Sequence, residues 1–271
     1  MNTQLDFIKE ICTEEEIMLE SLSHDYILRL SKDGRVRHIA GPYWDINSAA
    51  ADRIACDKHA CYILLDKNGI PAIEHELIFS PIRRSEWVGS IGTWSRTIKY
   101  FEEHNQKVVI KNNQGWGGQD VYFCDSLPSL EHAAHAIFDK YPNAAISPYY
   151  EIETEYRVFY LLGKAPFAYG KSKGEDWKHN LAQGAVAFQI NDDKLTAKLE
   201  TLAIRAAECI DIAFATVDIA ELENGELSVM EINSGVQARY LTDQIPELRS
   251  TVKDIYTKAI CHMLAPAPNA G

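Results

Sequence analysis

Apolar residues follow two rhythms along this chain, one of about 3.6 residues and one of two, and the switches between them divide it into elements. Leu5, Ile8, Ile11 and Cys12 share one side of an acidic stretch, which predicts an amphipathic helix over residues 2–22. DYILRLSKDGRVRHIAG, 25–41, reads as two short strands around the turn Lys32-Asp33-Gly34. Asn47 stands where a cap belongs, before a helical pattern that runs to Gly69. That pattern is one helix, or two that meet near Cys56 and Lys58. Ile70-Pro71 opens the extended segment AIEHELIF, and Trp94 to His104 reads as a helix with Thr93 as its cap.

KVVIKNN, 107–113, and VYFC read as strands joined by the glycine-rich turn NQGWGGQD, with the helix SLEHAAHAIFDKY behind them. AAISPYY and EYRVFYLLGKAPFAYGK give further strands, the last two turning at Gly163-Lys164. Leu195, Leu199, Leu202, Ala206 and Ile210 recur at helical spacing. FATVDIAELENGELSVMEIN is a hairpin around Glu223-Asn224-Gly225, and a final helix spans roughly 245–264 before the tail APAPNAG. Antiparallel hairpins with helices between them predict an α+β fold. No internal repeat or low-complexity linker interrupts the pattern.

Composition narrows the chemistry. The 271 residues carry a formal net charge of -12, which argues against a general nucleic-acid or membrane-surface binder. No apolar stretch is long enough for a membrane span, and the acidic N-terminus has no signal-peptide pattern. Six cysteines without a C-x-x-C pair read as free thiols, and the expected location is the cytoplasm.

Four local features carry candidate chemistry. Asp218 and Glu231 lie on the two arms of the predicted hairpin, and the period of two puts Glu231 and Asn233 on one face, with Met230 and Ile232 on the other. Three oxygen donors on one sheet face suit hard Mg²⁺. The alternative is a solvated face, although apolar Val229, Met230 and Ile232 around Glu231 weigh against it. Lys111 ends an apolar strand beside Gly115, Gly117 and Gly118, whose backbone can approach an anion; an ordinary hairpin tip is the alternative. Lys58 could reach a phosphate from a helix start, or be an exposed helix lysine. Lys171, Lys173, Lys178 and Asn180 form a positive cluster in an acidic chain, or a surface loop.

The order of these features resembles the ATP-grasp superfamily. D-K…G-I-P is followed by the strand-lysine-glycine loop, then E-Y-R, then K…N-L-x-x-G, then D…E-I-N, over roughly residues 56–245. Within it the chain is most similar to the carboxylate-amine ligases that add glutamate to ribosomal protein tails, with glutathione synthetases and D-alanine–D-alanine ligases further off. The resemblance implies an ATP-grasp fold, in which two α+β subdomains hold ATP between antiparallel sheets. Residues 1–57 would be a reduced N-terminal region, 58–145 the small subdomain with its glycine-rich lid, and 146–271 the large subdomain with the metal site. Lys58 and Lys111 match the lysines that hold phosphates, and Asn112 to Asp120, with Gly115, Gly117 and Gly118, the mobile lid. Ser147 to Tyr150, with Tyr149 between, match the hinge facing adenine, and Glu155 the acid on ribose. Lys171, Arg157 and Asn180 match positions near the nucleotide and the acyl phosphate. Asp218, Glu231 and Asn233 match the ligands of two Mg²⁺, with Mn²⁺ as a substitute.

The implied activity joins a carboxylate to an amine through an acyl phosphate, with an amino acid or peptide as substrate and a homodimer as the default assembly. An ATP-grasp kinase and a non-catalytic nucleotide-binding module are the alternatives. Three positions depart from the family pattern: Ser147 replaces the usual Glu or Gln, Ser234-Gly235-Val236 replaces S-P-G, and Thr216-Val217 replaces the arginine before the first metal acid. With 57 residues ahead of Lys58, the first domain is expected to be small, leaving an open site for a large or peptidic substrate, or one completed by a partner chain.

Overall fold

Alternation along three long strands builds the centre of the molecule. The computed structural model describes residues 3–80, 94–173 and 180–266. The chain begins with α1 (Thr3–Glu14), then β1 (Met18–Leu22), β2 (Ile27–Lys32), β3 (Arg35–Ala40) and β4 (Tyr43–Trp44), which form a four-stranded antiparallel sheet in that order. Helix was expected through residue 22. It ends at Glu14 because Glu16 turns left-handed at φ 53° and the Ile17 amide closes on the Cys12 carbonyl, which sends Met18–Leu22 into the sheet.

Two helices follow, α2 (Ala49–Cys56) and α3 (Lys58–Lys67). The cap of α2 is Ser48, not Asn47: the Ser48 hydroxyl accepts from the Ala51 amide. Asn47 instead ties the helix entry to the central sheet. Its Nδ2 donates to Asp52 Oδ1 and the Phe214 carbonyl, and its Oδ1 accepts from the Ala213 and Phe214 amides. Asp57 breaks the helix pair, with extended backbone and a side chain that caps α3 through the Ala60 amide.

Next come β5 (Glu76–Phe79), α4 (Trp94–Glu103), β6 (Val108–Asn112), β7 (Val121–Cys124), α5 (Leu127–Phe138) and β8 (Asn143–Pro148). Their strands form an antiparallel sheet in the order β5-β8-β6-β7, whose core of Ile78, Val108, Ile110 and Ile146 packs on α4 and α5. Thr93, the expected cap of α4, and Lys178 lie outside the described residues.

The remaining elements are β9 (Ile152–Leu161), β10 (Lys164–Ser172), β11 (Val186–Gln189), α6 (Asp193–Cys209), β12 (Phe214–Leu222), β13 (Leu227–Asn233), α7 (Arg239–Gln244) and α8 (Arg249–Leu264). A single helix was expected over 245–264. It ends at Leu264 as expected but starts at Arg249, because Pro246–Leu248 form a separate short turn; α7 lies ahead of the expected span. The strand order is β11-β10-β9-β12-β13, all antiparallel. One face of this sheet, with Tyr156, Val158, Val217 and Ile219, packs on α2, α3 and α6. Phe159, Tyr169 and Phe214 on the other face join α1, α8 and the N-terminal sheet around buried Trp44. Near that end of the sheet the second face stops being apolar, and the candidate site begins there.

Candidate active site

Cross-strand register brings the polar residues of the second face together. Asp218 pairs with Arg157 on one side and Glu231 on the other; Tyr169 pairs with Arg157, Lys171 with Glu155, and Asn233 with Thr216. Alternation then aims Glu155, Arg157, Lys171, Asp218, Glu231 and Asn233 into one cavity of about 460 Å³. Register shifts between Asp218 and Ile219, so Met230 has no partner on β12 and bulges. The bulge corrects the simple alternation expected for this strand. Val229 and Ile232, three residues apart, are both in the core, whereas Met230 is only half-buried and lines the cavity.

The cavity runs between this sheet and the β5–β8 sheet. Lys111, at the end of β6, lines it with Gly115, Gly117 and Gly118. Gly117 and Gly118 both take φ of 69°, which a side chain would strain, so the loop can fold back over the cavity. The start of α3 is docked onto this loop. The Lys58 amide donates to the Asn113 carbonyl, the His59 amide to Asn113 Oδ1, and Lys58 Nζ to the Gly115 carbonyl at 2.6 Å. Tyr149 and Tyr150 lie on the wall where the chain leaves β8, and Asn180 lines it with Oδ1 accepting from the Ala182 amide. Ser147 does not reach the cavity: paired with Val109 inside β8, it is buried in its own sheet.

Charge is distributed unevenly. Among the described residues, six cations line the cavity (Lys58, Lys111, Arg157, Lys171, Lys173 and Arg239) against three carboxylates (Glu155, Asp218 and Glu231), although the whole chain is strongly acidic. Such a basic cleft attracts a polyanion. Arg157 clamps Asp218 with two bonds of 2.6 Å, Nε to Oδ1 and Nη2 to Oδ2. Lys171 Nζ lies 3.3 Å from Asp218 Oδ1 and also binds Glu155. Burial would raise the Asp218 carboxyl, but Arg157 and Lys171 outweigh it and hold it well below the usual carboxylate range. Burial lifts Glu155 to about 6 in spite of Lys171.

Glu231 is more accessible than Asp218. Its Oε2 is 3.5 Å from Lys58 Nζ and its Oε1 is 3.3 Å from Asn233 Nδ2. Asn233 also donates to Asp218 Oδ2 at 3.1 Å, which leaves the amide oxygen as its uncommitted atom among the described residues. A hard divalent cation fits this donor set: the Glu231 carboxylate and the Asn233 amide oxygen face the cavity, backed by the ionised Asp218. Among the described residues no three His, Cys, Asp or Glu side chains cluster as a metal cage.

Lys111 differs from the other cations. Burial, then repulsion from Lys58, lowers its pKa to about 8. A phosphate beside it would restore the charge, so anion binding takes up a proton above that pH. Nucleotide affinity is therefore expected to be level below pH 7 and to fall by about 20-fold from pH 7.5 to 9.5. Lys111→Arg, charged throughout, should flatten that fall in a calorimetric titration; an equal fall in the variant would assign the dependence to another group.

This combination of two sheets, a glycine loop between them and a cation-lined acidic floor is the architecture of an ATP-grasp protein. The profile of the RimK-like ATP-grasp domain matches residues 55–247, and the chain belongs to that family. It is 31% identical to the tetrahydromethanopterin:alpha-L-glutamate ligase of Methanocaldococcus jannaschii over 144 residues, 51% of this chain and 47% of that protein. It is likewise 31% identical to a probable alpha-L-glutamate ligase of Pseudomonas putida over 131 residues, 47% of this chain and 42% of the other. The chain thus spans about half the length of these curated relatives. In fold it is similar to the D-alanine–D-alanine ligase of Bacillus anthracis, with a TM-score of 0.57 at 15% identity, covering 77% of this chain and 71% of that one. No helix among the described residues is long and apolar enough to cross a membrane.

Three contributors escaped the sequence reading. Pro42 and Tyr43, from the N-terminal sheet, line the cavity because Gly235 packs against Pro42; a Cβ on Gly235 would come within 2.8 Å of Pro42 Cβ. Cys56 lines it too, with its thiol 3.9 Å from both Tyr43 Oη and Ser234 Oγ. The unusual Ser234-Gly235-Val236 was the available signal, since glycine there permits the close approach.

Proposed function

We propose that the protein is an ATP- and Mg²⁺-dependent carboxylate-amine ligase acting on an amino acid or peptide. The observation that carries this reading is the basic cavity floored by Asp218, Glu231 and Asn233 on one sheet face. In this reading the two sheets are jaws that hold ATP, with residues 58–145 and 146–271 as small and large subdomains. Lys58 and Lys111 hold phosphates under the lid Gly115, Gly117 and Gly118, the backbone at Tyr149 and Tyr150 faces adenine, and Glu155 takes the ribose.

A substrate carboxylate oxygen attacks the γ-phosphorus, the bond to the β-bridging oxygen breaks, and ADP leaves with that electron pair. An amine then attacks the acyl carbon of the acyl phosphate, phosphate departs, and the amine loses a proton. Arg157, Lys171 and Asn180 face the acyl phosphate, where positive charge and fixed donors offset the charge that develops. Mg²⁺ held by Glu231, Asn233 and Asp218 supplies neutralisation of phosphate charge. Closure of the glycine loop keeps water from the acyl phosphate.

Product analysis tests the proposal. Purified protein given ATP, Mg²⁺ and pairs of amino acids should release ADP and phosphate together with an amide, and only when an amine is present. A phosphorylated hydroxyl product would establish the kinase alternative instead.

A further inference from the structure

The two lysines assigned to the phosphates stand on different sheets. Lys58 opens α3, whose Cys61 and Leu65 are part of the core under the five-stranded sheet. Lys111 lies near the end of β6, whose Val108 and Ile110 are part of the core of the β5–β8 sheet. Neither core fixes the distance between the two ammonium groups. They are nonetheless held close: after burial, repulsion from Lys58 is the largest influence lowering the Lys111 pKa. A contact outside both cores has to keep them together against that repulsion.

Asn113 is placed to do so. It is fully buried at the root of the glycine loop, two residues after Lys111. Its carbonyl accepts from the Lys58 amide at 3.1 Å, and its Oδ1 accepts from the His59 amide at 3.2 Å. Asp57 Oδ1 takes the Ala60 amide, so the leading amides of α3 are satisfied, and Asn113 supplies its bonds from the other sheet. His59 Nδ1 adds a bond of 2.7 Å to the His75 carbonyl, just ahead of β5. At its far end the loop is anchored by Asp120, which accepts from Lys140 Nζ at 2.7 Å and from Tyr141 Oη at 3.0 Å. Asn113 therefore belongs to the fixed stem of the loop, and the glycines lie between the two anchors.

Asparagine is a costly choice here. Its Nδ2 is buried with no hydrogen-bond partner, and a stranded buried donor is destabilising. Aspartate would present the same acceptor, leave no donor stranded and suit a helix N-terminus better. It would also put a carboxylate beside the start of α3 and two residues from Lys111, where it would draw on the charge that phosphates are to meet. A neutral amide gives up stability and leaves the cations uncompensated, as expected of a residue that serves the site rather than the fold.

We infer that Asn113 is a positioning residue: it fastens the start of α3 to the root of the glycine loop, so that Lys58 and Lys111 meet the nucleotide phosphates as one preset pair, and it is an amide because a carboxylate there would compete with those phosphates. The inference rests on the nucleotide site of the ligase reading and adds to it the residue that joins the two lysines.

The test compares the parent with Asn113→Ala, Asn113→Asp, Lys58→Met and the double variant Lys58→Met, Asn113→Ala. NMR titrations measure adenosine and, with Mg²⁺, a non-hydrolysable ATP analogue. Asn113→Ala should weaken the analogue by about tenfold and adenosine by less than about twofold, since adenosine makes no demand on the lysines. Asn113→Asp keeps the cap, so it should melt above Asn113→Ala and yet weaken the analogue at least as much. In the Lys58→Met background Asn113→Ala should weaken the analogue by less than about threefold, because its effect runs through Lys58. Equal losses for the analogue and adenosine, an undiminished loss in the Lys58→Met background, or parent-like affinity in Asn113→Asp would overturn the inference. If Asn113→Ala loses its fold, Asn113→Asp decides with the same two ligands. A parent that binds neither ligand would overturn the nucleotide site and the inference with it. A parent that shows the expected dependence on Asn113 but forms no amide from any pair would overturn the ligase reading alone.

Discussion

Glu231→Gln is expected to stop ATP turnover while leaving the fold intact. Glu231 and Asp218 are directly opposite each other across the β12–β13 hairpin, yet their surroundings differ. The Glu231 side chain is 27% exposed, and its buried ionic partner Lys58, at 3.5 Å, keeps a 2.6 Å bond to the Gly115 carbonyl, so neutralising Glu231 leaves no cation without an acceptor. Gln keeps the shape and one oxygen, and the stability change should stay within about 1 kcal/mol. The catalytic change should be far larger. A divalent cation contributes several kcal/mol by neutralising charge on the transferring phosphoryl group, and each 1.36 kcal/mol is about tenfold in rate. A loss of at least about 10³-fold in phosphate release follows, with a melting temperature close to that of the parent. Mn²⁺ binding followed by paramagnetic resonance gives a second readout and should weaken in parallel. Turnover near the parent level would remove Glu231 from the metal site.

The polar floor could be foreseen because period-two alternation survives in one sequence. Glu155, Arg157 and Phe159 on β9, and Thr216 and Asp218 on β12, are each two apart and do share a face. The bulge at Met230 could not be read in the same way, because it is a property of the pair of strands and SVMEIN carries no glycine to mark it. The Arg157–Asp218 clamp was hidden for a related reason: register between strands 61 residues apart is set by the whole sheet, not by local spacing. Local chemistry misled once where two polar residues competed. Asn47 and Ser48 are both good caps, and the four bonds that Asn47 makes to Asp52, Ala213 and Phe214 take it out of that role. Tyr43 entered the site through a contact between the N-terminal sheet and Gly235, which no spacing within either segment announces.

Asp218→Asn should have the opposite signature to Glu231→Gln, a loss of stability at least as evident as the loss of activity. Asp218 is 1% exposed and accepts from Arg157 at both oxygens, from Lys171 and from Asn233. Neutralising it leaves Arg157 and Lys171, two cations at the bottom of the cleft, with Glu155 as the remaining acid of the cluster. Breaking one side of a buried ion pair costs about 3–5 kcal/mol, because the stranded charge cannot regain its hydration. For a domain of this size that is a fall of about 10 °C in melting temperature. The pH dependence follows from the direction of the Asp218 shift. A carboxyl lowered in the folded state contributes fully above its unfolded value of about 3.9 and loses that contribution as pH falls towards the lower folded value. The gap between parent and variant should therefore be constant above about pH 5 and narrow below about pH 4. Arg157→Met combined with Asp218→Asn should cost less than the sum of the two single changes, since each removes the partner that the other strands. A variant as stable as the parent at pH 7, or a gap that does not narrow in acid, would show that the clamp does not support the fold. In that event Asp218 would be a site acid with the same standing as Glu231.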